Sequence, residues 1–368
     1  MNKILILANS ASGLYDFRNE LILELLNMYE VHISLPDGEQ VPQLAEEGCR
    51  MHHTAIDRRG VNPARDLKLL CSYWRLIRHI KPKIVLTYTI KPNIYGNICC
   101  RLQRVPYIAN ITGLGSAFEN NGIIQKIVTV LYRAALKNAA CIFFQNQENQ
   151  KIFARFGIHG KKSRLVPGSG VNLDRHCVQE YPLEEERMIF LYVGRIMQEK
   201  GIDELLYTAE AVYKEYPKVL FQLVGNYEEN YKEKIVRTQE SGALELIGYQ
   251  KDITPFYRRA SAVLMPSYHE GMSNVILEAA ASGRPVLATN ISGCQEGFED
   301  GVTGFGFPPK DQEALHRTVI RFINLSYEER VQMGRRGREK MEREFDRTKV
   351  VQAYLQEIQS AGKEYALK

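Results

Sequence analysis

Short apolar runs recur along the whole chain, and helical patterns separate them. The runs predict strands at residues 3–8, 29–35, 83–89, 107–110, 141–145 and 163–166, and then at 188–193, 220–224, 244–247, 262–265 and 286–288. Runs that are apolar throughout are typical of strands buried on both faces of a parallel sheet. Strands that alternate with helices in this way favour the α/β class.

Helical spacing of apolar residues predicts helices at residues 16–28 and 63–80, from about 202, from about 274, and in the charged tail from 311. In the helix at 63–80 the apolar positions include Leu67, Leu70, Trp74 and Ile77, with basic residues on the other side. Two interpretations stay open and are compatible. The helix packs on its domain with a solvated back, or its basic rim and tryptophan lie at a membrane interface.

Length and composition indicate two domains. With 368 residues and 42.2 kDa the chain can form two cores. The stretch at 172–186 is polar and strand-free, so we place the domain boundary there, between residues 1–172 and 187–345. No apolar run approaches the roughly 18 residues of a membrane-spanning helix, and seven cysteines without a C-x-x-C pair suit a reducing compartment. A cytoplasmic protein without a zinc site is expected.

The net charge of +5 is divided unevenly. Residues 1–180 contain 23 Lys or Arg and 14 Asp or Glu, whereas residues 181–368 contain 25 and 29. Within the first half, residues 58–104 contain eleven basic residues and one acid, Asp66. Such a segment attracts anionic partners: nucleic acid, acidic lipid head groups or a diphosphate.

The chemistry concentrates at residues 262–281, which are predicted to form a strand, a loop and a helix. Ser273 or Asn274 is a suitable N-cap. The backbone N–H groups of such a helix start form an anion site, and ligands collect at the carboxyl ends of strands in open α/β sheets. Glu270 and Glu278 could bracket a neutral polyol beside the anion.

Residues 270–279, followed by Gly283-Arg284-Pro285-Val286, resemble the E-x7-E signature of the retaining glycosyltransferases of family 4. The resemblance implies the GT-B fold, in which two Rossmann-like parallel-sheet domains face a deep cleft. The second domain would bind the nucleotide sugar and the first the acceptor. The last helix, residues 346–368, would cross back to the first domain.

The resemblance also assigns roles in the second domain. The spacing of Gly194 and Arg195 from Lys200 matches the family's diphosphate clamp, although a surface salt-bridge role would be favoured for these two side chains without the resemblance. Arg195, Lys200 and Glu270 are the catalytic candidates, with Glu270 orienting the sugar ring and Glu278 binding the ribose hydroxyls. The remaining donor-binding candidates are Gly271, Met272, Ser273, Asn274 and Val275, with Tyr249 against the base.

In the first domain, the loop at Gly13 would approach the donor. Asp16 and Arg18 are candidates for the acceptor or sugar side, with helix capping and a solvated face as the alternative. Many family members have a histidine near residue 110. Here Asn110, Thr112 or a backbone carbonyl would substitute for it.

The resemblance implies transfer of a hexose or N-acetylhexosamine from a nucleotide diphosphate sugar, with a UDP-sugar as the preferred expectation. The anomeric configuration would be retained by front-side attack. No cofactor is expected, and no metal either, because there is no Asp-x-Asp in a suitable loop and no His/Cys cluster. Residues 13–18 and 112–118 resemble bacterial transferases of capsule, O-antigen or lipid-linked glycan assembly. The expected acceptor is therefore a polyprenyl diphosphate saccharide, with the enzyme peripheral on the inner face of the cell membrane.

Alternatives remain. A GT-B sugar-nucleotide epimerase would catalyse without an acceptor, and a glycosyltransferase could take a soluble acceptor. A hydrolase with Glu270 and Glu278 as its carboxylate pair is disfavoured because Glu278 lies in a helix whose start suits phosphate. A nucleic-acid partner is not expected, because no aromatic-interleaved basic platform accompanies the basic segment.

Overall fold

The computed structural model describes residues 1–57, 60, 62–113 and 122–366, with side chains as far as residue 362. The chain forms two compact units. Unit 1 comprises residues 1–169 together with those from 348 onward, and unit 2 comprises Gly170–Arg347. The polar segment at 172–186, which the sequence suggested as a boundary, therefore belongs to unit 2.

Unit 1 contains a seven-stranded parallel sheet in the order β3-β2-β1-β4-β5-β6-β7. Its strands are β1 (Lys3–Leu7), β2 (Glu30–Leu35), β3 (Arg50–His53), β4 (Ile84–Tyr88), β5 (Tyr107–Ile111), β6 (Cys141–Phe144) and β7 (Ser163–Leu165). The helices are α1 (Ala11–Leu26), α2 (Val41–Glu46), α3 (Pro63–Ile80), α4 (Asn97–Leu102), α5 (Ile123–Leu136) and α6 (Gln147–Arg155), with a π-helical turn at Pro92–Gly96.

Alternation along the central strand divides the core of unit 1 into two layers. Ile4 and Ile6 of β1 pack with α1, α2 and the C-terminal helix α13 (Arg347–Ala366), whereas Leu5 and Leu7 pack with α3 to α6. Tyr354 of α13 stacks on Phe143 with ring centroids 4.2 Å apart. The side chains of α13 from Val350 to Ala361 are thus part of the unit 1 core.

Unit 2 contains a six-stranded parallel sheet in the order β10-β9-β8-β11-β12-β13. Its strands are β8 (Ile189–Val193), β9 (Leu220–Val224), β10 (Leu244–Gly248), β11 (Ala262–Met265), β12 (Val286–Thr289) and β13 (Gly304–Phe307). Its helices are α7 (Ile202–Glu215), α8 (Lys232–Glu240), α9 (Thr254–Arg259), α10 (Asn274–Ala281), α11 (Gln312–Ile323) and α12 (Tyr327–Lys340), with a π-helical turn at Met341–Phe345.

Strand order places the functional loops of unit 2. The chain runs outward from β8 through β9 to β10, then returns to β11 on the other side of β8. The carboxyl ends of β8 and β11 therefore flank the point where the strand order reverses, which is where open α/β sheets bind ligands. This is the fold that the sequence predicted: two α/β parallel-sheet units.

One local prediction was wrong, and two strands were missed. Helix α1 begins at Ala11 and not at about Asp16, because Ser10 is its N-cap and accepts a hydrogen bond from Gly13 N at 3.1 Å. The apolar pattern did not predict strands β3 and β13. Strand β3 is a partly exposed edge strand of mostly polar residues, and in β13 phenylalanine alternates with glycine. A Cβ at Gly304 would lie 1.9 Å from the Val286 carbonyl oxygen.

The apolar face assigned to α3 was also partly wrong. The buried side chains are Leu69, Tyr73, Ile77 and Ile80. Leu67 and Trp74, which the pattern placed among the core-facing positions, are 62% and 36% exposed.

Candidate functional site

The loops that follow β8 and β11 contact each other at the point in unit 2 where the strand order reverses. Gly201 has φ +72°, and a Cβ there would lie 2.2 Å from the Pro266 carbonyl oxygen, so only glycine fits. The Tyr268 N–H donates to the Glu199 carbonyl at 2.9 Å. The Lys-Gly pair of the sequence motif thus places Lys200 directly beside the loop that contains Glu270.

Lys200 and Glu270 form a short ion pair. Their Nζ and Oε1 atoms are 2.5 Å apart, and the side chains are 17% and 15% exposed. Two charges this far removed from water depend on each other, since loss of either would leave a poorly solvated charge. The structure therefore joins two residues that the sequence placed in separate motifs.

Arg195 lies in a more open position. Its side chain is 51% exposed, and Nη1 is 3.4 Å from Glu228 Oε2. The turn beneath it is held by Tyr192, whose buried hydroxyl donates to the Arg195 carbonyl at 2.7 Å. Burial, with the Glu270 charge second, raises the pKa of that phenol, so the hydroxyl remains a donor. A Cβ on Gly194 would lie 2.7 Å from this hydroxyl oxygen, which explains the glycine.

Helix α10 begins directly after the same loop, and no N-cap side chain hydrogen-bonds to its first turn. Ser273 is its N-cap, as predicted, and the first turn has no acidic residue. The first turn of α7, by contrast, contains Asp203 and Glu204. An anion is therefore favoured at α10 and disfavoured at the start of α7.

The loop before α10 is fixed from behind. The Ser273 N–H donates to the Gly293 carbonyl at 2.8 Å, and a Cβ on Gly293 (φ +89°) would lie 2.5 Å from the Glu270 carbonyl oxygen. Met272 and Ser273 are buried, whereas Gly271, Asn274 and Val275 are half-buried.

Glu278 lies one turn into α10, where the Tyr257 hydroxyl donates to its Oε2 at 3.0 Å. Tyr257 is fully buried, and burial together with the Glu278 charge raises the pKa of its phenol well above the usual value. His176 packs edge-on against the Tyr257 ring with centroids 6.1 Å apart. The site thus includes a supporting tyrosine from α9 that no sequence pattern singled out.

Arg284, part of the sequence motif, proves to be a structural residue. It is fully buried, and its guanidinium donates to five backbone carbonyls. Their residues are Gln179, Glu180, Tyr257, Arg258 and Gly283. Burial lowers its pKa to about 10. It ties the segment after residue 170 to the end of α9 and thereby holds Tyr257 in place.

Tyr249 follows β10 at the same end of the sheet and is 60% exposed. Gly248 before it has φ +79°. The structure leaves the ring accessible, and its contact with a nucleotide base stays a prediction.

The candidates of unit 1 follow β1 and β5. Gly13 lies in the first turn of α1, and Asp16 is half-buried one turn further on. Arg18 is only 5% exposed, and its guanidinium carbon lies 5.6 Å and 5.5 Å from the ring centroids of Tyr88 and Tyr354. The solvated-face interpretation of Arg18 is therefore wrong. The side chain is a buried cation–π link to α13.

Asn110 is fully engaged inside unit 1. It is 1% exposed, its Nδ2 donates to the Thr87 carbonyl at 3.0 Å, and its Oδ1 accepts from the Tyr354 hydroxyl. Its side chain therefore supports the core rather than offering a free group to a sugar. Thr112 is half-buried. The stretch 112–118 that resembles bacterial transferases continues into residues 114–118, which lie outside the described residues.

Across the described ranges, no group of three or more His, Cys, Asp or Glu side chains is arranged to hold a metal ion. None of the helices described here is long and apolar enough to cross a membrane.

Two family models match the chain. Glycosyl transferases group 1 matches residues 177–340, and Glycosyl transferase 4-like matches residues 3–146, so together they cover most of both units. This chain is a glycosyltransferase, with a group 1 domain in unit 2 and a 4-like domain in unit 1. The matched region of unit 2 contains Lys200, Glu270 and Glu278, the residues whose spacing indicated the family.

Relatives of this glycosyltransferase include two enzymes named for lipid-linked acceptors. The Campylobacter jejuni N,N'-diacetylbacillosaminyl-diphospho-undecaprenol alpha-1,3-N-acetylgalactosaminyltransferase is 24% identical over 85% of this chain and 87% of its own. The Escherichia coli UDP-Gal:alpha-D-GlcNAc-diphosphoundecaprenol alpha-1,3-galactosyltransferase is 27% identical over 80% of each chain.

The fold of the glycosyltransferase is also that of solved structures. Anabaena Alr3699/HepE in complex with UDP aligns with a TM-score of 0.79 over 97% of this chain and 100% of that one, at 18% identity. The sucrose-phosphate synthase of Thermosynechococcus elongatus aligns with a TM-score of 0.78. Both are similar in fold, and the GT-B class is thereby shown.

Proposed function

We propose that this enzyme transfers a hexose or N-acetylhexosamine from a UDP-sugar to a saccharide on a polyprenyl diphosphate, with retention at the anomeric carbon. The observation that supports the donor half is the Lys200–Glu270 pair in the loops that precede α10, a helix whose first turn has no acidic residue. The names of the Campylobacter and Escherichia relatives support the acceptor half and a role in surface-glycan assembly. The enzyme would work as a peripheral protein on the inner membrane face.

In the proposed donor site, different side chains bind the diphosphate, the sugar and the ribose of the donor. Lys200 and Arg195 supply positive charge to the diphosphate, with the N–H groups of the first turn of α10 beside them. Glu270 accepts hydrogen bonds from sugar hydroxyls and orients the ring. Glu278, held by Tyr257, binds the ribose diol. Positive charge from side chains and helix takes the place that a metal ion has in other transferases.

In the proposed reaction the acceptor hydroxyl oxygen bonds to the anomeric carbon on the face from which UDP leaves. The bond between that carbon and the β-phosphate oxygen breaks, and its electron pair goes to the diphosphate. The hydroxyl proton passes to the departing phosphate oxygen. No side chain acts as a nucleophile, and the electrostatic stabilisation of the developing diphosphate charge is the main contribution of the protein.

The donor half is tested by calorimetric titration with UDP, GDP, ADP and TDP in EDTA. We expect UDP to bind, and Arg195→Ala and Glu278→Ala to weaken it at least tenfold. Arg237→Ala is the matched control, because Arg237 also pairs with a carboxylate, that of Glu210, at 3.4 Å and is 78% exposed. Undiminished binding by both site variants would refute the assignment.

The acceptor half is tested by incubating UDP-sugars with a synthetic polyprenyl diphosphate saccharide, with the same saccharide free in solution, and with no acceptor. We expect product from the lipid-linked acceptor alone, with the configuration of the new linkage read by NMR. Transfer to the free saccharide at the same rate would indicate a soluble acceptor. Conversion of the UDP-sugar without any acceptor would indicate an epimerase.

A further inference from the structure

Helix α5 in unit 1 exposes an apolar stripe opposite its buried face. Thr129, Tyr132, Ala135 and Leu136 are buried. On the other side, Ile123, Ile124, Ile127 and Val130 are 77%, 52%, 53% and 61% exposed. Ile127 follows Ile123 by four residues and Ile124 by three, and Val130 follows Ile127 by three, so the four side chains form one continuous stripe along the first two turns. Large apolar side chains that cluster on a surface in this way mark an interaction site.

The stripe belongs to a broader helical layer. Helices α3, α4 and α5 pack on the same core cluster of unit 1. Side chains join them: Arg101 at the end of α4 donates to the Ala134 carbonyl of α5 at 2.7 Å, and Gln103 donates to the Trp74 carbonyl of α3 at 3.0 Å. The layer also exposes Leu67, Trp74 and Leu102, which are 62%, 36% and 64% accessible.

The surroundings of these apolar groups are basic. Exposed cationic side chains lie on α3 and on or just after α4 and α5: Arg65, Lys68, Arg75, Arg78, Arg104, Lys126, Arg133 and Lys137. From residue 67 to residue 137 the sequence contains eleven Lys or Arg and a single acid, Glu119. We call this surface, with its apolar and basic side chains on α3, α4 and α5, the α3–α5 face.

We propose that the α3–α5 face docks on an anionic lipid bilayer, with the α5 stripe inserted at the boundary between head groups and acyl chains. An apolar stripe rimmed by Lys and Arg matches a membrane interface, because the side chains enter the acyl region while the cations reach lipid phosphates. A second copy of this chain fits poorly, since it would bring one basic face against another. The helix that the sequence suggested for this role, residues 63–80, contributes the rim, and α5 is the inserting element.

The proposal rests on the membrane location given in the proposed function but not on the donor site, because vesicle binding is measured without any sugar nucleotide. Trp74, the sole tryptophan of the sequence, lies on this face and is partly exposed, so its fluorescence reports docking. We expect the protein to float with phosphatidylcholine vesicles that contain phosphatidylglycerol and not with pure phosphatidylcholine. Trp74 emission should shift to the blue, and added salt should reverse the binding.

Three variants separate insertion, charge and non-specific effects. The double variant Ile124→Glu with Ile127→Glu and the double variant Lys126→Glu with Lys137→Glu should each reduce partitioning to anionic vesicles at least tenfold. The control, Leu183→Glu with Val236→Glu, places the same new charges at unit 2 positions that are 62% and 44% exposed and should bind like the wild type. Circular dichroism melts verify that each variant is folded.

Equal binding by wild type and both face variants, or equal loss in the control, would overturn the proposal. So would a dimer in sedimentation that the Ile124→Glu, Ile127→Glu variant converts to monomer, because the stripe would then bind a second copy. UDP affinity is measured on the same samples. Retained UDP affinity in the face variants shows that the donor site is intact and that only membrane docking is lost.

Discussion

The Lys200–Glu270 pair provides the sharpest test of the donor site, because the same lysine contributes to stability and, by proposal, to diphosphate binding. Lys200→Met removes the ammonium but keeps most of the stem, and it leaves the Glu270 carboxylate at 15% exposure without its cation. Breaking a fully buried pair costs about 3–5 kcal/mol, and exposed pairs contribute about 0.2–1 kcal/mol. For this largely buried pair we expect a loss of about 2–3 kcal/mol in the free energy of unfolding.

The double variant Lys200→Met, Glu270→Gln removes both charges and should recover most of that loss, so the coupling energy should be about 2 kcal/mol. UDP affinity should not recover. A charge-assisted hydrogen bond contributes about 1.5–3 kcal/mol, so both variants should bind UDP roughly 10- to 150-fold more weakly. Stability would thus be rescued and binding would not.

The measurements are urea unfolding for stability and calorimetry for UDP affinity. The matched control is Lys234→Met with Asp203→Asn, because that pair has a similar 2.6 Å separation but side chains 61% and 37% exposed. Its coupling should stay below about 1 kcal/mol, and UDP affinity should be unchanged. If Lys200→Met binds UDP within twofold of the wild type, the diphosphate role of Lys200 is refuted. If the loss of stability in the double variant equals the sum of the losses in Lys200→Met and Glu270→Gln, the two charges are not coupled.

Two further predictions concern the buried support of Glu278. Tyr257→Phe deletes the hydroxyl that lies 3.0 Å from Glu278 Oε2. Because this hydrogen bond contributes about 1–2 kcal/mol, the variant should bind UDP about 5- to 30-fold more weakly in calorimetry. The control Tyr207→Phe loses an equivalent hydrogen bond to Glu313 on the molecular surface and should bind UDP like the wild type. His176 is buried beside Tyr257, and burial, with nearby arginines second, lowers its pKa to about 4. Between about pH 6.5 and pH 4 the His176 imidazole is protonated in the unfolded chain but not in the folded protein. The free energy of unfolding should therefore fall as pH decreases through this range, by at most roughly 3 kcal/mol. In urea unfolding, the stability of His176→Gln should not show this fall between pH 6.5 and pH 4. If the variant keeps the pH profile of the wild type, His176 is not its cause.

Much of the proposed donor site could be predicted from the sequence because its signals are local. Apolar runs gave the central strands, and the serine before α10 and the glycine after Lys200 marked where loops become helices. Parallel strands with their order reversed at β8 and β11 then bring the loops after those strands together. The spacing of Glu270 and Glu278 indicated the family without any knowledge of what surrounds them.

Other properties depended on contacts between residues far apart in the chain. Periodicity shows that α3 has an apolar side, but only packing decided that Tyr73 is buried and Trp74 exposed, because an amphipathic stripe leaves the exact contact angle open. The ion pair joins residues 70 positions apart, and Tyr257 reaches Glu278 across 21. Arg18 and Asn110 looked available in sequence, and the Tyr354 side chain of α13 occupies them both. The local sequence thus determined which side chains are candidates for donor binding, whereas the tertiary fold decided which of them lie together in the loops of unit 2 and which are taken up by the core of unit 1.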